Sequence, residues 1–158
     1  MLRSSTFSDC SQYRYSLWRE WGAEDAGFAL IVGLNPSLAD QHRDDPTIRR
    51  CIAFCEAWGL SRLCMVNLFA YRSTSPFEML KSPQPLGSHT DETIIDLASG
   101  AALVVAAWGN QGARFNRSGW FQTNVAPNLS QVFCLGKTKS GEPRHPLYVR
   151  KSQRLEVL

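Results

Sequence analysis

From Phe28 through Ala29, Leu30, Ile31, Val32, Gly33 and Leu34 no side chain is polar, and the chain then turns through Asn35-Pro36-Ser37. A continuous apolar run of this length, without the alternation of a half-solvated strand, is what a strand covered on both faces requires. Three further runs of the same kind follow, Leu63 to Ala70, Ala102 to Trp108 and Gln131 to Leu135. Between the first two, Pro46 to Gly59 carries Ile48, Ile52, Cys55 and Leu60 near helical spacing. Asp45 is placed to cap that helix, Pro46 suits its first turn and Gly59 ends it. Thr90 to Ala98 reads as a second helix, and Asn110 to Gln122 as a third interrupted by Gly112 and Gly119. Strands alternating with helices imply right-handed crossovers and helices on both sides of a sheet. The expected fold is therefore α/β, a three-layer α/β/α sandwich around a short, mostly parallel central sheet. Tyr13 to Trp21 reads as an edge strand or hairpin partner packed by Tyr15, Leu17 and Trp21. Ser82 to Ser88, with Pro83 and Pro85, reads as a stiff surface connection.

The totals agree with one domain over residues 1–158, long enough to bury roughly two-thirds of its unfolded surface. A 44% hydrophobic and 20% charged composition excludes the low-hydrophobicity, high-charge class that stays disordered. Seventeen Lys and Arg against fourteen Asp and Glu give a formal charge of +3, which permits contact with phosphates without requiring it. The five cysteines, Cys10, Cys51, Cys55, Cys64 and Cys134, form no CxxC pair and sit mostly in apolar runs, so they read as reduced core residues. Cys51 and Cys55 share a helix face, and a metal or redox pair there is the less favoured reading. The first residues carry no apolar signal region, and no run approaches the ~18 apolar residues of a membrane span. The expectation is a cytoplasmic monomer with no membrane association, no metal and no cofactor.

In parallel sheets, ligands bind beyond the carboxyl ends of the strands. The polar residues there are Asn35 after the first strand, Asn67 inside the second, Gly109-Asn110 after the third, and the loop Gly136 to Pro146 after the fourth. Gly33 and Pro36 suggest a tight turn that presents Asn35 to a cleft; its amide can hold a water or a polar ligand edge but is no strong base. The bland alternative is an asparagine that caps its own turn. Asn67 lies within an apolar strand, where an unpartnered amide costs about 1 to 3 kcal/mol, so it needs a buried partner or a ligand. His145 is fixed between Pro143 and Pro146, and Lys137, Lys139 and Arg144 give its loop three cations suited to phosphates, or else a solvated basic surface. Asp40, His42, Asp44 and Asp45 lack regular metal-ligand spacing and read as a capped, solvated loop. Arg49 and Arg50 stand in a first helical turn, where the helix dipole disfavours cations, so carboxylate or phosphate partners are expected, Asp44 and Asp45 being nearest.

Five ordered motifs resemble the DUF1643 family of bacterial and phage proteins from about Tyr13 to Tyr148: Leu34-Asn35-Pro36-Ser37, Asp44-Asp45-Pro46-Thr47-Ile48-Arg49-Arg50, Val66-Asn67-Leu68-Phe69-Ala70-Tyr71-Arg72, Ala106-Ala107-Trp108-Gly109-Asn110 and Lys139-Ser140-Gly141-Glu142-Pro143-Arg144-His145-Pro146-Leu147-Tyr148. Their order in turn resembles the uracil-DNA glycosylase superfamily, with Gly33-Leu34-Asn35-Pro36-Ser37 similar to a water-activating loop and His145-Pro146 similar to a final His-Pro loop. Two departures stand out. Leu147 follows where the relatives carry serine, and the cysteine spacing of an iron-sulfur cluster is missing.

The resemblance implies a uracil-DNA glycosylase-like domain that acts on DNA or a nucleotide carrying uracil or a modified pyrimidine. Asn35 would position the water, His145 would donate to the departing base, and Asn67 would read the base edge. Gly33, Leu34, Pro36, Ser37, Asn110 and the aromatic residues Phe69, Tyr71 and Trp108 would complete the substrate site, although core packing is the favoured reading for Phe69. Arg49, Arg72, Lys137, Lys139 and Arg144 would hold phosphates. Cleavage of the N-glycosidic bond and binding of a nucleotide or modified base without cleavage both remain open on these residues.

Overall fold

The computed structural model describes residues 1–23 and 26–158. One mixed sheet of seven strands organises the molecule: β1 Leu2–Phe7, β2 Arg14–Glu20, β3 Ala29–Gly33, β4 Arg62–Asn67, β5 Leu103–Ala106, β6 Phe133–Cys134 and β7 Glu156–Val157, in the order β1-β2-β4-β3-β5-β6-β7. The pairings of β4 with β3, β3 with β5 and β5 with β6 are parallel. Those of β1 with β2, β2 with β4 and β6 with β7 are antiparallel. The sheet is thus neither short nor mostly parallel, because antiparallel strands flank the parallel centre on both sides. β2 is an inner strand, with the exposed β1 outside it.

All five residues of β3 are buried, as the unbroken apolar run requires. Alternate residues pack on opposite faces. Leu30, Val32, Cys64, Val66 and Val104 join Ile94, Ala98 and Phe121 in one apolar cluster, whereas Ala29, Ile31, Leu63, Met65 and Val105 join Ile48, Cys51, Phe54 and Cys55 in the other. The second cluster is covered by α1 (Pro46–Ala57) and the first by α2 (Pro76–Lys81), α3 (Thr90–Gly100) and α4 (Arg117–Asn124).

The ends of α1 follow from its sequence. Asp45 accepts from the Ile48 N–H at 2.9 Å, and Gly59 adopts φ +76° so that the Leu60 N–H reaches the Cys55 carbonyl. The expected helix from Asn110 is split into a 3₁₀ segment Asn110–Asn116 and α4, because Phe115 and Asn116 take left-handed backbone angles.

The five cysteines are free thiols, and all but Cys10 are buried. The acidic loop is spent on structure. Asp40 accepts from the N–H groups of His42 and Arg43, and Asp44 accepts from Arg19 Nε at 2.7 Å. Arg19, fully buried on β2, also donates to the carbonyls of Asp40 and Arg43. With Asp44 taken by Arg19, Arg49 donates to the Asp44 backbone carbonyl and Arg50 to that of Val149, so the carboxylate partners expected for them are replaced by carbonyls. Among the described residues no helix is long and apolar enough to cross a membrane.

Candidate functional site

The carboxyl end of β3, the start of α2 and the loops after β5 and β6 meet around a cavity of about 370 Å³. Leu34 and Asn35 arrive from β3, Trp108, Gly109 and Asn110 from β5, and Arg144, His145 and Tyr148 from the last loop. A recess of about 30 Å³ adjoins it, sharing Leu34, Asn35 and His145 and continuing to Arg14, Ser37, Asp45, Thr47 and Asn67. A wider depression of about 690 Å³ between β1, β2 and α3, with Ser8, His89, Glu92 and Asp96 in its lining, contains none of the residues expected to carry chemistry.

Asn35 is half-buried and donates from Nδ2 to the carbonyls of Ser73 at 2.9 Å and Pro36 at 3.2 Å, which directs its oxygen away from those carbonyls. Asn67 is only 4% exposed, and its Nδ2 has no hydrogen-bond partner. Gly33 leaves room beneath it: a Cβ there would stand 2.8 Å from Asn67 Oδ1 and 2.5 Å from the Met65 methyl, so both side chains would have to shift. The N–H of Leu147 donates to His145 Nδ1 at 3.2 Å, so a neutral ring carries its proton on Nε2. Burial pulls the His145 pKa below its usual value, against the opposing pull of Asp45. The neutral donor form is therefore favoured near neutrality.

Trp108 is 1% exposed, with Nε1 donating to Glu142 at 2.7 Å and the ring edge-on to Phe121, so it forms a fixed wall. Asn110 Oδ1 accepts from Thr138 and Ser140 and ties two loops together. Ser37 lies in the recess, while Pro36 is buried outside both spaces and accepts from the Ser73 N–H.

Two of the expected aromatic residues are elsewhere. Phe69 packs in the apolar core against Phe115, and Tyr71 lies edge-on to Tyr13. After Asn67 the chain turns away from the rim, with Ala70 and Tyr71 bonding to the carbonyls of Leu86 and Pro85. Arg72 follows them, donating to the Ser11 carbonyl with its guanidinium over Phe7. The aromatic residues at the mouth are instead Phe77, on α2, and Tyr148, 63% and 79% exposed.

Of the remaining cations, Arg144 touches the cavity and shares a neighbouring groove with Lys137 and Arg150. Arg49 lies in a second groove with Arg50 and Lys151. Lys139 is exposed and lines neither groove. Sequence reasoning missed Arg14, Phe77, Arg150 and Lys151.

The fold and the site define an α/β protein with a mostly apolar cavity, edged by a few polar side chains, at one rim of a mixed sheet. The family model described as a protein of unknown function (DUF1643) matches residues 14–147, and the chain belongs to that family. No curated protein and no solved structure matches the chain.

Proposed function

We propose that the cavity binds a nucleobase carried by DNA or a nucleotide, uracil or a modified pyrimidine, and that the N-glycosidic bond is hydrolysed there. The observation that carries this reading is the convergence of Asn35 and His145, far apart in sequence, on one cavity with Asn67 in its recess. The cavity is of the size that small ligands occupy, and the exposed rings of Phe77 and Tyr148 offer flat apolar surfaces to a base, with buried Trp108 as a fixed wall. The motif order shared with uracil-DNA glycosylases, and helices on both faces of a sheet with a parallel centre, support the same reading.

Hydrolysis requires a water oxygen to bond the sugar carbon while the glycosidic electron pair leaves with the base; the proton released by water ends on the base or in solvent. Asn35 Oδ1 orients the water. His145 Nε2–H, held neutral, donates to the negative charge that develops on the base, a contribution of about 3 kcal/mol to the barrier. Phosphates on either side of the base would lie along the grooves of Lys137, Arg144 and Arg150 and of Arg49, Arg50 and Lys151. Two such grooves support a polynucleotide over a free nucleotide.

Binding without cleavage is the second reading. It is favoured by one observation: among the described residues the larger cavity is lined by no carboxylate, and Asp45 of the adjoining recess already accepts from the Ile48 N–H through one oxygen. Alkaline cleavage of single- and double-stranded oligonucleotides carrying uracil or hydroxymethyluracil separates the two. Base release by the wild type and its loss in Asn35→Ala and His145→Ala is the expected result. Tight binding without release would assign the binding module, and no binding to any oligonucleotide or nucleotide would remove both readings.

A further inference from the structure

We propose that the small recess is an acceptor-atom pocket in which Arg14 and Asn67 together donate to one ring carbonyl oxygen of the ligand. This rests on the base-binding reading of the adjoining cavity and adds to it a charged residue that no motif contained. Arg14 opens β2, is 2% exposed, and forms no salt bridge among the described residues. Its Nη1 donates to the Ala39 carbonyl at 2.9 Å, but its Nε has no partner. Across the recess, Asn67 Nδ2 is equally buried and equally without a partner. Leaving two buried donors unmade is destabilising, and that both residues line one small recess is what a site for an acceptor would require.

Size and charge narrow the occupant. About 30 Å³ admits one oxygen and excludes a phosphate group or a ring. Asp45 is the acid of the recess, and one of its oxygens is already bonded to the Ile48 N–H. Burial lowers the Arg14 pKa to about 10, with Arg72 and Arg19 adding repulsion and Asp45 opposing it, so the guanidinium stays charged at neutral pH. An oxygen that gains negative charge as a base departs is the acceptor such a pair favours. An exocyclic amino group at the same place would set donor against donor.

Two measurements test the pocket. In crystals soaked in sodium bromide, anomalous density is expected within hydrogen-bond distance of Arg14 Nε and Asn67 Nδ2; a peak elsewhere only, or none, overturns the proposal. In nuclear magnetic resonance titrations, a pyrimidinone should bind the intact protein more tightly than the aminopyrimidine with the same ring. Arg14→Lys, which keeps the charge but removes Nε, and Asn67→Asp, nearly isosteric, should each weaken the pyrimidinone by about 10- to 100-fold, and neither should weaken the aminopyrimidine, for which Asn67→Asp supplies an acceptor. Undiminished pyrimidinone binding in variants that melt like the wild type overturns the proposal. If bromide occupies the recess but neither ring binds, the donor pair is upheld and the base-binding reading of the larger cavity is what fails.

Discussion

The Leu147 N–H donates to Nδ1 of His145 at 3.2 Å, two residues further along the same loop. The bond fixes the ring's neutral tautomer, and Pro146 between them limits how far the loop can relax.

A stability profile follows from it. The folded pKa of His145 is lowered, chiefly by burial, so between that value and the usual 6.5 the unfolded chain binds the extra proton. The stabilisation is present above about pH 6.5 and is lost as pH falls through the folded value. Urea unfolding from about pH 7 to about pH 5 should show a falling midpoint in the wild type and a shallower fall in His145→Gln. Equal slopes would show that the ring titrates alike in both states.

Asn35→Asp should destabilise the fold by about 1 to 3 kcal/mol, since the carbonyls of Ser73 and Pro36 would then face a carboxylate in place of an amide donor. Urea midpoints at neutral pH measure this. An unchanged midpoint would mean that the two amide bonds contribute nothing.

Phe77 and Tyr148 separate binding from folding. Both are largely exposed, so Phe77→Ala and Tyr148→Ala should each alter stability by less than about 0.5 kcal/mol. Each should weaken a stacked base by about 1 to 3 kcal/mol, read as oligonucleotide affinity by fluorescence anisotropy. Full affinity in the double variant would remove them from the mouth.

The inner strands were legible because β3 and β4 are sealed on both faces and need unbroken apolar runs. That Asn35 and His145 would line one cavity was legible because parallel strands carry the residues after their carboxyl ends to the same rim, although Asn35 also bonds the carbonyls of Pro36 and Ser73 as a turn residue would. β1 was not, since Leu2–Phe7 lies at an exposed edge with mixed polarity and shows no pattern. The direction of β2 was not either: period-two patterning carries no arrow. Running against β4, that strand brings its first residue, Arg14, to the rim where the parallel strands end. Phe69 packs in the core, the reading favoured for it, whereas Tyr71 and Arg72 lie away from the cavity because the sequence of a strand does not mark where the chain leaves the sheet plane.

Two arginines of β2 clamp the segment from Ala39 to Asp44, Arg14 through one carbonyl and Arg19 through two carbonyls and a carboxylate. The recess is thus flanked by a segment tied down through backbone carbonyls, whereas the entrance of the cavity is framed by the exposed side chains of Phe77 and Tyr148. On the proposed base-binding reading, discrimination would be graded with depth: a bulky substituent turned outward would still seat, and one extra methyl turned inward would be refused.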